Sequence, residues 1–120
     1  MRYACVGQKP GAGLIVMPDL FNTINRDLII APAAHYRVPA IYFSRSLVEA
    51  GGLISYGPDL GEQYPQAAGY IDRILKGEKP ADLPIQMPIK VPLVINLKTA
   101  NALGIDVPLH LQQLADEIIE

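Results

Sequence analysis

The apolar residues of this chain fall into short runs that glycines, prolines and polar residues separate. Four of these runs have the length of a β-strand, and most of them lack the polar alternation of a half-exposed strand. They are residues 14–17, 38–43, 53–56 and 93–97. The pattern predicts four strands, buried within an α/β sheet.

Helix signals lie between these runs. Thr23 or Asn25 suits the N-cap of a first helix that extends to about residue 36. Pro32 lies inside it and has no backbone N–H to donate. We therefore expect this helix to kink or begin again at the proline, unless its first turn starts later.

Glycines mark the ends of three further predicted helices. The first covers residues 45–50 and is followed by a glycine pair. The second has Pro65 in its first turn and ends at Gly77, with a stripe of apolar residues at 68, 71, 74 and 75. The third covers residues 99–103 and stops at Gly104.

The C-terminal part of the chain combines a proline-rich connector with a last predicted helix. Residues 79–92 contain four prolines, which favour an extended surface connector. Residues 109–119 carry apolar side chains at helical spacing, and they place Asp116 and Glu117 on the exposed face of a terminal helix. Strands and helices thus alternate, which predicts an α/β fold with a mostly parallel sheet flanked by helices and right-handed crossovers.

Composition limits the partners of the chain. Half of its residues are hydrophobic and 18% are charged, so one compact core is expected. A net charge of −2 without a basic stripe argues against nucleic acid as a partner. The single cysteine, Cys5, has no intrachain disulfide partner, and no apolar run reaches the roughly 18 residues that span a bilayer.

Several phrases of the sequence, in order, resemble the C-terminal part of the substrate-binding proteins of ABC transporters, a type 1 periplasmic binding protein-like family. The similarity extends from about residue 13 to residue 120. The phrases are LIVMPD at 14–19, VPAIY at 38–42, GGLISYGPD at 51–59, ILKG at 74–77, KPADLP at 79–84, VINLKTA at 94–100 and ALG at 102–104.

The resemblance implies a truncated binding lobe. Full-length relatives close two α/β lobes around a small solute and deliver it to a membrane permease in the periplasm. Here residues 13–120 are expected to form one Rossmann-like or flavodoxin-like lobe, after a poorly ordered or non-family segment at 1–12. The start of the chain does not read as a secretory signal, which favours the cytoplasm for the chain as written.

Six residues at three predicted strand ends are expected to face the solute, because ligands of open α/β sheets bind beyond the carboxyl ends of the strands. They are Pro18, Asp19, Phe43, Ser44, Tyr56 and Asp59. Carboxylates and a hydroxyl suit an amine or hydroxyl of the solute, and the aromatic rings suit an apolar face.

Each of these residues also has a purely structural interpretation. Asp19 suits the cap of the turn that follows it, and Pro58 with Asp59 suits a turn. Tyr56 suits a core position with its hydroxyl outward.

Other chemistry finds little support in the sequence. His35 and His110 lack metal-ligand spacing and suit surface or helix-end positions. Cys5 and His35 are weak candidates for a catalytic nucleophile and its general base. The glycine-rich stretch at 7–13 precedes a strand, whereas a phosphate loop follows one. We expect no metal, no cofactor and no enzyme activity.

The sequence therefore predicts a non-catalytic lobe that binds a small organic solute, such as an amino acid, an organic acid or an aromatic compound. The alternative is a self-associating remnant or interaction protein without a ligand. In relatives the helix at about 61–76 belongs to the other lobe, so here it can swap onto a neighbour, and we expect a homodimer.

Overall fold

The computed structural model describes residues 11–58, 60–87 and 90–120, and it confirms the four predicted strands. A fifth strand follows near the C-terminus. The strands are β1 (Leu14–Ile15), β2 (Ala40–Tyr42), β3 (Ile54–Tyr56), β4 (Leu93–Asn96) and β5 (Glu117–Ile119). The helices are α1 (Leu20–Ile24), α2 (Arg26–His35), α3 (Arg45–Glu49), α4 (Leu60–Leu75), α5 (Leu97–Leu103) and α6 (Leu109–Leu114), with a 3₁₀ turn at Pro80–Asp82.

The strands form one sheet in the order β1-β2-β3-β4-β5, which confirms a mostly parallel sheet. The pairs β1–β2, β2–β3 and β4–β5 are parallel, and β3–β4 is antiparallel. The antiparallel pair arises because the chain leaves β3 through α4 and the proline-rich connector and re-enters the sheet at the end where β3 finished. The carboxyl ends of β1, β2 and β3 consequently lie at one end of the sheet, and those of β4 and β5 lie at the opposite end.

Two apolar clusters form the core. The first joins β1 and β2 to α2 and α3, and the second joins β4 to α5 and to the segment before α6. The buried members of the first are Val16, Ile29, Ile30, Ala33, Ala40, Tyr42 and Leu47, and those of the second are Ile95, Ala100 and Val107. No helix among the described residues has the length and apolar character needed to cross a membrane.

The prediction of a terminal helix over residues 109–119 is wrong. Helix α6 ends at Leu114, and the chain then becomes extended and pairs with β4. Asp116 makes the join, because its N–H donates to the carbonyl of Leu93 at 2.9 Å and its carboxylate accepts from the Leu93 N–H at 2.9 Å. Backbone pairing with the free edge of β4 thus outweighs the helical spacing of the apolar residues. Asp116 and Glu117 therefore do not lie on a helix face.

The two prolines of the helices also differ from expectation. The first helix breaks at Asn25, where α1 meets α2, and not at Pro32, which lies inside α2. Pro65 lies in the second turn of α4 and not in its first. The first four N–H groups of a helix have no intrahelical partner, so a proline in the second turn, unlike one in the first, removes one helical hydrogen bond.

Arg45, at the start of α3, anchors the last strand. Its Nε and Nη2 atoms donate to Oε2 and Oε1 of Glu117 at 2.6 and 2.8 Å, and its Nη1 atom lies 2.7 Å from Oε1 of Glu49. The hydrogen bonds from Arg45 lower the pKa of Glu117 below its ordinary value of 4.5, against a smaller opposing effect of burial.

This pair predicts an acid-sensitive part of the stability. Because the folded pKa of Glu117 is depressed, the contribution of the pair is complete above the ordinary glutamate pKa and is lost as the pH falls through the folded pKa. Glu117→Gln should lower the free energy of unfolding at pH 7 by less than about 1 kcal/mol, since both side chains are partly exposed. Urea unfolding at pH 7 and at pH 2 measures this, and an equal loss at both pH values would contradict it.

Candidate functional site

The carboxyl ends of the three parallel strands β1, β2 and β3 lie at the same end of the sheet. Ile15 of β1 is in register with Ile41 of β2, which is in register with Ile54 of β3. The N–H of Val16 extends the ladder to the Ile41 carbonyl at 2.9 Å. The loops that follow the three strands therefore lie side by side, as the rule for ligand sites of open α/β sheets requires.

A cavity of about 230 Å³ opens at these strand ends. Three of the six predicted site residues, Pro18, Phe43 and Tyr56, line it together. The remaining lining residues are Ile15, Val16, Met17, Ile41, Tyr42, Gly57 and Pro58. None of these side chains carries a charge, so the cavity suits the apolar or aromatic part of a solute better than a charged end.

Gly57 lines this cavity and lies against the backbone of Phe43. A Cβ atom built on it would lie 2.1 Å from the carbonyl oxygen of Phe43, far inside any van der Waals contact. The exits of β2 and β3 are thus in backbone contact, which brings Phe43 and Tyr56 to the same small site. Only glycine permits this approach.

Two predicted site residues lie beside the cavity without lining it. Oδ1 of Asp19 accepts a hydrogen bond from the N–H of Phe21 at 2.7 Å and caps α1, which is the structural role we considered for it. Ser44 precedes α3, and its Oγ lies 3.0 Å from Oγ of Ser46. Asp59 lies outside the described residues, and so does Cys5.

Tyr56 occupies the most accessible aromatic position of the site. Its side chain is 60% exposed, so it does not take the core position that we considered as its alternative. Met17 and Ile15 are exposed beside it, and sequence reasoning missed both as lining residues. The spacing of Ile15 and Met17 was the available signal, because residues two apart in a strand lie on the same side of the chain.

Other features of the described residues lie away from these strand ends. A second apolar cavity of about 110 Å³ lies between the sheet and α6, away from the carboxyl ends of β1–β3. His35 ends α2, a helix-end position as expected, with its ring edge-on to that of Tyr36. The described residues contain no group of three or more His, Cys, Asp or Glu side chains that could hold a metal ion.

The sequence matches a family model over residues 5–119, that of the ABC transporter substrate binding protein. The chain therefore belongs to this family, and the resemblance drawn from its sequence phrases is confirmed. The match begins at residue 5, ahead of about residue 13, where we placed the start of the similarity. A search of curated proteins finds no match.

Solved structures agree with this assignment. The chain is 26% identical to a conserved domain protein from Vibrio cholerae O1 biovar El Tor, with a TM-score of 0.86 over 97% of this chain and 38% of that one. It is also 26% identical to an ABC domain in complex with L-Trp from Streptococcus pneumoniae, with a TM-score of 0.83 over 98% and 40%.

A third solved structure shares the fold. It is the ligand-free, open form of a substrate binding protein with adhesive properties from Clostridium difficile, 18% identical, with a TM-score of 0.65 over 98% of this chain and 39% of that one. The chain thus spans 38–40% of the length of the solved structures it matches.

Proposed function

We propose that this chain is a non-catalytic solute-binding lobe, and that its solute is a small organic molecule with an apolar or aromatic part. The observation that carries the proposal is the uncharged cavity at the carboxyl ends of β1–β3, lined by Pro18, Phe43 and Tyr56. Membership of the substrate-binding family supports it, and so does the L-Trp bound to the Streptococcus pneumoniae relative.

The residues of the site would make different contacts with the solute. Tyr56 and Phe43 would contact the flat or apolar face of the solute, and Met17 with Pro18 would close the side. Asp19 and Ser44 stay proposed polar contacts beside the cavity, and Asp59 stays a proposed polar contact. An amino acid, an organic acid and an aromatic compound all fit this description, and the charged ends of such solutes would need partners beyond the cavity wall.

The proposal also includes the partner and the cellular location of the lobe. As in full-length relatives, the loaded protein would meet an ABC permease, and a periplasmic location would follow from that role. A lobe that contacts the solute from one side leaves much of the solute surface in water, so we expect weak affinity.

Titration with L-Trp, other amino acids and aromatic acids, followed by thermal unfolding, tests the proposal. A solute at ten times its Kd should stabilise the folded chain by about 1.4 kcal/mol and raise its Tm by several degrees. Tyr56→Ala should weaken the best solute about 2- to 12-fold, the value of one aromatic contact. Absence of any shift across the panel at millimolar concentration would contradict solute binding.

The matched control is Tyr36→Ala. Tyr36 is another partly exposed tyrosine, it follows α2, and it does not line the cavity. We expect its loss to leave solute affinity unchanged. An equal loss of affinity in both variants would assign the effect to general destabilisation and would remove Tyr56 from the site.

Self-association is a second candidate function, and a homodimer is its proposed form. The observation that favours it is the number of large apolar side chains exposed on the described surface, Ile15, Met17, Leu75 and Met87 among them. Ile15 and Met17 lie together at the cavity, and a large contiguous apolar surface usually marks an interface.

A further inference from the structure

Met17 places an oxidisable sulfur in the wall of the candidate solute cavity. It follows β1 and lines the cavity together with Pro18, Phe43 and Tyr56. It is 64% exposed. Oxidants convert the thioether of methionine reversibly into a polar sulfoxide. Met17 is therefore a wall residue whose polarity an oxidant can change.

Access to this sulfur follows from the proposed function as well as from the exposed fraction. A cavity that a small organic solute enters from water also admits hydrogen peroxide, which is smaller than any such solute. Further chain that packed on the lobe would have to leave the route of the solute open, and the peroxide would use the same route. Oxidation of Met17 therefore does not require any surface outside the cavity to be uncovered.

The backbone of Met17 is held on both sides. The N–H of Val16 donates to the carbonyl of Ile41 at 2.9 Å, and the carbonyl of Met17 accepts from Nδ2 of Asn22 at 2.9 Å. Pro18 comes next, and a proline confines the residue before it to extended backbone. A chemically altered side chain at position 17 therefore stays at the cavity.

Oxidation would change how this wall meets a solute. The side chains that line the cavity are uncharged, and most of them are apolar. A thioether makes favourable contacts with aromatic rings. A sulfoxide is polar, so its burial against the apolar part of a solute costs hydration that the wall does not replace.

We propose that Met17 is a reversible oxidation site whose sulfoxide lowers the affinity of the cavity for its solute. This proposal rests on the proposed function and adds a regulation of the same site. The oxidant is a peroxide. Sδ of Met17 attacks one oxygen of hydrogen peroxide, the sulfur–oxygen bond forms as the oxygen–oxygen bond breaks, and the other oxygen leaves as water. The sulfur loses two electrons and the peroxide gains them.

Met87 is the matched control within the chain. It is 79% exposed and does not line the solute cavity. Its oxidation reports the reactivity of an exposed methionine, and its sulfoxide should leave solute affinity unchanged. Cys5 also reacts with peroxide. Every protein in the comparison therefore carries Cys5→Ser.

Calorimetric titration before and after peroxide treatment measures the effect. The probe is L-Trp, or the amino acid or aromatic acid of the same panel that binds more tightly. Oxidation should raise the Kd of the Cys5→Ser protein about 2- to 12-fold, the value of a sulfur–aromatic contact. The Met87→Leu protein should lose affinity to the same extent. The Met17→Leu protein, compared only with itself, should have the same Kd before and after treatment.

Two further readouts separate regulation from general damage. Bound solute should slow the oxidation of Met17 and leave the rate at Met87 unchanged, which mass spectrometry of the tryptic fragments measures. Reduction by the methionine sulfoxide reductases, one for each epimer, should restore the affinity. Met17→Gln introduces a polar side chain of similar length and should weaken binding without peroxide, while circular dichroism checks that it folds.

The outcomes distinguish this regulation from the proposed function. A chain that binds no member of the panel before oxidation overturns the proposed function, and the regulation with it. A chain that binds, and whose affinity stays the same once Met17 is shown to be oxidised, overturns the regulation alone. An equal loss of affinity in the treated Met17→Leu protein would also overturn it, because another oxidised group would then carry the effect.

Discussion

Replacing Gly57 with alanine is expected to destabilise the chain and to distort the candidate solute cavity in a single step. The new Cβ atom would lie 2.1 Å from the Phe43 carbonyl oxygen, and its neighbours on that side are also backbone atoms of Phe43. Backbone cannot rotate away as a side-chain tip can, so the exits of β2 and β3 must separate. We expect the free energy of unfolding to fall by about 3 kcal/mol and the Tm to fall by roughly 10 °C.

Gly69→Ala is the matched control for this substitution. Gly69 lies inside α4, and a Cβ atom built there meets nothing within 4 Å. Alanine is the better helix former, so this variant should be neutral or gain up to about 1 kcal/mol. Thermal unfolding of both variants gives the comparison. A Gly57→Ala protein that melts with the wild type would show that β2 and β3 do not approach as described.

Asn96→Ala is expected to have the second large effect, because this one side chain joins three elements. It lies at the end of β4 and is buried. Its Nδ2 atom donates to the carbonyl of Val48 in α3 at 3.1 Å, and its Oδ1 atom accepts from the N–H of Thr99 at 3.0 Å and caps α5. Loss of the cap and of the partner of a buried carbonyl should together cost about 2–4 kcal/mol.

Two further variants separate the contributions of Asn96. Asn96→Asp retains an acceptor for the Thr99 N–H, but it loses the donor to Val48 and buries a carboxylate against that carbonyl, so it should cost more than the loss of the second bond alone. Asn101→Ala removes an exposed asparagine of the same helix and should change stability by less than about 0.5 kcal/mol. Urea unfolding measures all three variants. A cost for Asn96→Ala no larger than that for Asn101→Ala would contradict the three-element role.

The candidate site was predictable to the extent that it follows from strand ends. The runs at 38–43 and 53–56 located β2 and β3, and the strand-end rule then selected Phe43 and Tyr56, which line one cavity. The approach of Gly57 to Phe43 was not predictable, because the Phe43 carbonyl follows a different strand, β2. Whether any of these residues binds a solute stays a prediction that the titration tests.

The fold was predictable wherever one local pattern dominated. The apolar runs that became β1–β4 are bounded by glycines, prolines or polar residues, and Gly104 ends α5 in the left-handed conformation that a stop glycine favours. The prediction failed at residues 109–119. Their apolar side chains suit a helix, but the free edge of β4 offers backbone hydrogen bonds that only an extended chain can accept.

The amino-acid sequence by itself determined the alternation of strands and helices, the mostly parallel sheet and the family, because burial pattern, turn residues and matching phrases are all local. Only the tertiary structure decided that β4 runs antiparallel to β3, that β5 exists, and that Gly57 lies against the backbone of Phe43. These features depend on which residues distant in the chain meet. Segments distant in the chain compete to pair with the same strand, and the outcome sets the direction of each strand. No local sequence pattern records this competition.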